Sequence, residues 1–242
     1  MSYSKEFHHL LSCPLWAQGK HYIGVGNPDA GILIVGKECA VNKESDFYRE
    51  DYARNFERWQ TRDSSLRVED IKEWQRDWHL FDPFVPYKGQ RFTIERRGRH
   101  NGGTSTTWYN YQKLTNLIRE QGKLSTPSNT ATIDFYQDCF ITELNELCRS
   151  DNTHLTARER TETEQSIRNR LDLMRATSPF WSHFHTVILA CGPYSKVLRE
   201  NKELRRSIFG AANVIAAISD KPIPQLSYAI SNDLLRAIAG LV

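Results

Sequence analysis

At 242 residues, with 39% hydrophobic and 25% charged side chains, the chain is long enough to bury a core and too apolar to be disordered. Its net charge of +3 permits a polyanionic partner without demanding one, so any electrostatic case rests on local clusters. No apolar run approaches the roughly 20 residues that span a bilayer, and Met1 to Leu11 is too polar for a secretory signal, so a cytoplasmic protein without membrane association is expected.

Taken in chain order, Ile32–Val35 reads as a buried strand, near-continuously apolar as a parallel strand covered on both faces must be. The stretch from about 42 to 101 breaks the rhythm that follows and reads as an insertion. It holds Trp59, Trp74 and Trp78, expected as core anchors, then a basic run from Arg91 to His100. Trp108, Tyr111, Leu114 and Ile118 recur at helical spacing, with Thr106 or Thr107 as the start and Gly122 as the stop. Cys139–Thr142 is the second predicted strand. Thr156 and Glu159 form a capping box that opens a polar helix reaching about Arg175. Val187–Ala190 is the third strand, and Pro193 is a good first residue for a helix reaching Asn201. Gln225–Ile230 is the fourth strand, and Leu234, Leu235, Ile238 and Leu241 mark a last amphipathic helix. Strands separated by helices require crossovers and build a mainly parallel sheet. The expected fold is therefore α/β: one domain over 1–242, a three-layer α/β/α arrangement around a short, mainly parallel four-stranded sheet.

Ligands of an open parallel sheet bind beyond the carboxyl ends of its strands. Gly36, Lys37 and Glu38 follow the first strand, Glu143 and Asn145 the second, and Ser231 the fourth. Glu38, Glu143 and Asn145 are expected to converge in one crevice. Plainer roles compete with a ligand role at each position: a loop carboxylate for Glu38, a helix start for Glu143, a turn cap for Asn145. Gly24-x-Gly26 precedes a strand and so is not a dinucleotide fingerprint. The histidines, His183 and His185 included, lack the paired spacing of a zinc site, and no metal is expected. Five cysteines without repeated spacing do not form a disulfide framework, and Cys191 reads as a buried thiol.

Several of these segments, in order, resemble the uracil-DNA glycosylase superfamily. Ala30 to Gly36 is similar to its opening strand, and Cys13-Pro14-Leu15, Gly24 and Gly26-Asn27 to the lead-in of its thermophile-type iron–sulfur branch. Phe140-Ile141-Thr142 with Cys148-Arg149, Val187 to Gly192 with Lys196-Val197-Leu198, and Tyr228 to Ser231 with Leu234-Leu235-Arg236 resemble later segments of that branch. The resemblance implies an enzyme that swings a nucleotide into a pocket and hydrolyses its N-glycosidic bond. It places Glu38 where the family has a water-activating residue, and Asn145, or alternatively Glu143, near the base-reading position. Gly102 and Gly103 fall where a glycine-rich loop approaches DNA. Arg96, Arg97 and Arg99 suit a phosphate backbone, and a solvated surface loop explains them equally well.

The departures are specific. Cys39 stands where the family has a loop proline, and Ala229 and Ile230 replace a His-Pro pair that supplies the leaving-group donor. Loss of such a donor removes about 3 kcal/mol of transition-state stabilisation, with Ser231 or Lys37 as the available substitutes. Only Cys13 and Cys148 match cluster cysteines, so a four-thiolate cluster cannot be built and no cofactor is expected. The expected function is hydrolysis of the N-glycosidic bond of a damaged or modified base in DNA. The alternative is a catalytically inactive nucleic-acid, nucleotide or partner-binding protein on the same scaffold; a different hydrolase using the same crevice is a third possibility.

Overall fold

A computed structural model describes residues 3–19, 21–38, 55–57, 59–60, 106–121, 134–147, 155–226 and 230–242. Its centre is a five-stranded sheet of β1 (Val25–Gly26), β2 (Ile32–Gly36), β3 (Cys139–Glu143), β4 (Thr186–Leu189) and β5 (Asn213–Ile215), in the order β1-β3-β2-β4-β5. β2 pairs in parallel with β3 on one side and β4 on the other, and β4 pairs in parallel with β5. β1 runs antiparallel at the edge beside β3. An antiparallel ribbon, β6 (Ala217–Ile218) with β7 (Lys221–Pro222), follows β5.

Every residue of β3 and β4 is buried, and all but the first of β2, as befits the central strands of a mainly parallel sheet. Register and alternation sort the side chains. Leu33, Phe140, Val187 and Val214 share one face; Ile34, Ile141, Ile188 and Ile215 share the other. On the first face Phe140 meets Phe7 of α1 (Lys5–Ser12) at 6.2 Å and Phe180 of the short α5 (Ser178–Trp181) at 5.6 Å between ring centroids. On the second face the Cys139 thiol donates to Phe135 O at 3.2 Å and lies beside Thr115 of α3 (Thr106–Arg119), which packs along α8 (Asn232–Ala239). A further short helix, α2 (Pro14–Gly19), follows α1.

The 42–101 stretch reaches this core through Asn55, Phe56 and Trp59. Asn55 accepts from Ile23 N at 2.8 Å and donates to Gly24 O at 2.9 Å, and the fully buried Trp59 donates from Nε1 to the same carbonyl. Gly24 has φ +145°, and a Cβ there would sit 2.4 Å from Ile141 O, so only glycine fits between this clamp and β3. Trp74, Trp78 and the basic run lie outside the described residues.

The first three predicted strands are present, and the strand count is corrected from four to five. The last parallel strand is Asn213–Ile215; the described residues of the Gln225–Ile230 run carry no strand. Leu226 and Ile230 are apolar because they fill the core from irregular chain, a role that mimics a strand in sequence. β5 is three residues long between alanines, with nothing to punctuate it. α3 begins at Thr106 as expected. α4 (Ala157–Ala176) opens on the capping box, with both reciprocal bonds between Thr156 and Glu159 present. The segment after Cys191 is a 3-10 turn, Gly192–Ser195, then α6 (Lys196–Glu200) and α7 (Lys202–Phe209), rather than one helix. Among the described residues no helix is long and apolar enough to cross a membrane.

Candidate functional site

The order of the strands locates a crevice. From β2 the chain crosses to β3 on one side, then returns past β2 to β4 and continues outward to β5. The loops leaving β2 and β4 therefore diverge at their carboxyl ends, which is where open α/β sheets bind ligands. The β2 loop supplies Lys37 and Glu38, and the β4 loop supplies Cys191 and Tyr194. β3 adds Glu143 and Asn145 from the other side.

Backbone pairing carries on past the strands and fixes these residues against each other. Leu144 N donates to Gly36 O at 3.0 Å and Asn145 N to Lys37 O at 2.9 Å. Glu38 and Asn145, separated by 107 residues, then meet: Asn145 Nδ2 donates to Glu38 Oε2 at 3.3 Å. The other Glu38 oxygen takes Lys37 Nζ at 3.0 Å. Glu38 is 6% exposed and Asn145 is fully buried. A buried carboxylate is tolerated only with such compensation. Lys37 Nζ also lies 4.9 Å from the centroid of the Tyr194 ring, across the crevice.

Asn145 serves two purposes. Its Oδ1 accepts from Leu147 N at 3.1 Å, an Asx turn that shapes the loop, while Nδ2 reaches Glu38 and Leu147 O. Glu143 ends β3 rather than starting a helix, and it lies opposite Gly36 on the same face. A Cβ on Gly36 would fall 2.4 Å from Glu143 Oε2 and 2.9 Å from its Cδ. The missing side chain is what makes room for the carboxylate. Gly36→Ala is accordingly expected to displace the Glu143 carboxylate, the end of a flexible side chain, at a cost of about 1 kcal/mol in urea unfolding, and a second change, Glu143→Ala, is expected to restore most of it, a coupling that a double-mutant cycle reads directly.

Cys191 is fully buried at the same edge. Burial first, and then the negative charges of Glu143 and Glu38, push its thiol far above the ordinary range, with Lys37 opposing weakly. It stays a neutral thiol and is no nucleophile at neutral pH.

Ser231 is exposed and caps α8, its Oγ accepting from Leu234 N at 3.2 Å. This bond engages the helix rather than the Glu38 cluster. Arg96, Arg97, Arg99, Gly102 and Gly103 lie outside the described residues, as do Cys39, Ala40, Cys148 and Ala229. No group of three or more His, Cys, Asp or Glu side chains suited to a metal ion occurs among the described residues.

Behind β3 lies a buried ionic network that sequence reasoning misses. Arg170 of α4, fully buried, donates from Nε to Glu143 O, from Nη2 to Thr142 Oγ1 and from Nη1 to Glu146 Oε1. Its guanidinium lies 4.6 Å from the Trp16 ring, and His21 Nδ1 is 2.7 Å from Glu146 Oε2. Burial alone would raise the Glu146 carboxyl. Arg170, then His21 and the Tyr22 N–H, overcome that and hold it below the usual carboxylate range. A signal was present: Thr163, Ile167, Arg170, Leu171 and Met174 form the buried stripe of α4, with Arg170 in helical step.

No protein-family model matches the chain, and no curated protein matches it.

Proposed function

We propose that this chain is a divergent relative of the uracil-DNA glycosylases that hydrolyses the N-glycosidic bond of a damaged or modified base in DNA. The observation that carries this reading is the bond from Asn145 to Glu38 at the crevice between the strand ends. Two segments remote in sequence, each nominated by the resemblance, supply one preorganised carboxylate.

In this mechanism Glu38 orients and activates the attacking water, and its charge with that of Glu143 favours positive charge developing on the sugar. Asn145 is a positioning residue, since both ends of its amide are already engaged by Glu38 and Leu147. Lys37, at the crevice and only 18% exposed, stabilises the departing base anion in place of the missing donor. The three-layer α/β/α arrangement is part of the proposal; α1 and α5 against one sheet face and α3 against the other support it. So is a cytoplasmic location, supported by the free thiols of Cys13, Cys139 and Cys191.

Oligonucleotides carrying uracil, hypoxanthine, xanthine or a methylated base, incubated with the protein and then heated in alkali, are expected to break at one of these bases. A salt-sensitive gel shift without any break would instead support the binding protein. That second reading gains from one feature: both Glu38 oxygens already have partners within the chain.

A further inference from the structure

A groove of about 490 Å³ opens beside the crevice, between the first half of α4 and the segment that follows β4. Its size suits a group as large as one nucleotide. Thr163 and Ile167 form a buried floor, and Leu155, Tyr194 and Val197 form half-buried walls. Tyr194 belongs to both places, since its ring lines the groove and lies under Lys37 of the crevice. The groove and the crevice thus share one side chain.

The rim carries charge of mixed sign with cations in excess: Arg160, Arg168 and Lys196 against Glu164 and Glu200. Lys196 and Glu200 lean on each other at 3.9 Å. Among the described residues Arg160 uses only Nε, donating to Leu155 O at 3.2 Å, which leaves the two ends of its fork. Arg168 has no hydrogen bond or ion pair among the described residues. The two arginines are eight residues apart on one face of α4, about 12 Å along the axis. That span addresses more than one anionic group, which favours a polyanion over a single phosphate.

We infer that this groove holds the single strand next to the target nucleotide, one base against the apolar floor and Tyr194, with flanking phosphates on Arg160 and Arg168. The inference rests on the proposed activity at Glu38 and extends it. An apolar floor with an aromatic wall under a cationic rim is the combination that binds single strands without reading sequence. It also gives the substrate a polarity, because the strand must run from the crevice toward the α4 side.

A fluorescein-labelled ten-residue oligothymidylate, followed by anisotropy from 50 to 200 mM salt, tests the groove without requiring catalysis. Arg160→Glu/Arg168→Glu is expected to weaken binding about tenfold or more and to flatten the log–log salt slope by about 1.4, the share of two phosphates no longer neutralised. Arg158→Glu/Arg175→Glu makes the same charge change elsewhere on α4, at positions 89% and 56% exposed. It is expected to bind within about twofold of the wild type. Equal loss in both pairs, no binding by the wild type, or equal competition by a ten-residue polyglutamate would each overturn the groove assignment. Alkali-sensitive breaks are scored separately on lesion-bearing strands. Groove-dependent binding without breaks removes the glycosylase and keeps the groove; breaks unaffected by Arg160→Glu/Arg168→Glu do the reverse.

Discussion

Arg170→Met is expected to lower the free energy of unfolding by about 2–4 kcal/mol at pH 7, toward the lower end of what removing one partner from a buried ion pair costs, because the Glu146 left behind keeps some contact with solvent. The guanidinium has no exposed surface and serves a carboxylate, a hydroxyl and a carbonyl at once. Methionine replaces much of the packing beneath Trp16, so the loss is mainly electrostatic. What remains is Glu146, partly buried at 19% exposure and left with His21 and the Tyr22 N–H. Urea melts across pH separate this cause from simple loss of volume. The Glu146 carboxyl is depressed in the folded chain. Its contribution is therefore complete above the unfolded value of about 4.3 and disappears as pH falls through the folded one. The gap between wild type and Arg170→Met should narrow on acidification from pH 6 toward pH 3. A gap that stays constant would show that Arg170 acts through packing alone. Glu146→Gln added to Arg170→Met should recover part of the loss, because no uncompensated charge is then buried.

Glu38→Gln is expected to slow base release by about 10²–10⁴-fold, the range for a positioned general base. Glutamine keeps the shape and can still accept from Asn145 Nδ2, but it takes the charge partner from Lys37, so a loss of stability of about 1–2 kcal/mol should accompany the slower reaction. Asn145→Leu should also slow the reaction, while costing stability through the lost bonds to Leu147. The two residues act as a unit through one hydrogen bond. The double variant should therefore be about as slow as Glu38→Gln alone rather than the product of both defects. Additive defects would mean that Asn145 acts on the substrate directly.

The strands that build the site were legible because both faces of a central parallel strand must be apolar, a pattern that β2 and β4 carry almost throughout and β3 carries over Cys139–Ile141. Glu38 and Asn145 followed from asking what lies just beyond those strands. The edges of the sheet were not legible. β1 has two residues and β5 three, too few to carry a period, and their pairing is set by contacts far along the chain. Arg170 was hidden for a different reason. A cation in a polar helix reads as solvated, and its burial depends on Thr142 and Glu146 from β3 and its loop and on Trp16 from α2. The close fit of Gly36 to Glu143 was equally out of reach, since it depends on a register between strands about a hundred residues apart.

Free base liberated in a single turnover, with protein in excess over a lesion-bearing strand and the product separated by chromatography, tests the role of Glu38 most directly. Wild type should release the base and leave an abasic site, and Glu38→Gln should release it about a hundredfold or more slowly while binding the strand equally well. Equal rates for the two proteins, or no release by the wild type from any of the bases tried, would contradict it.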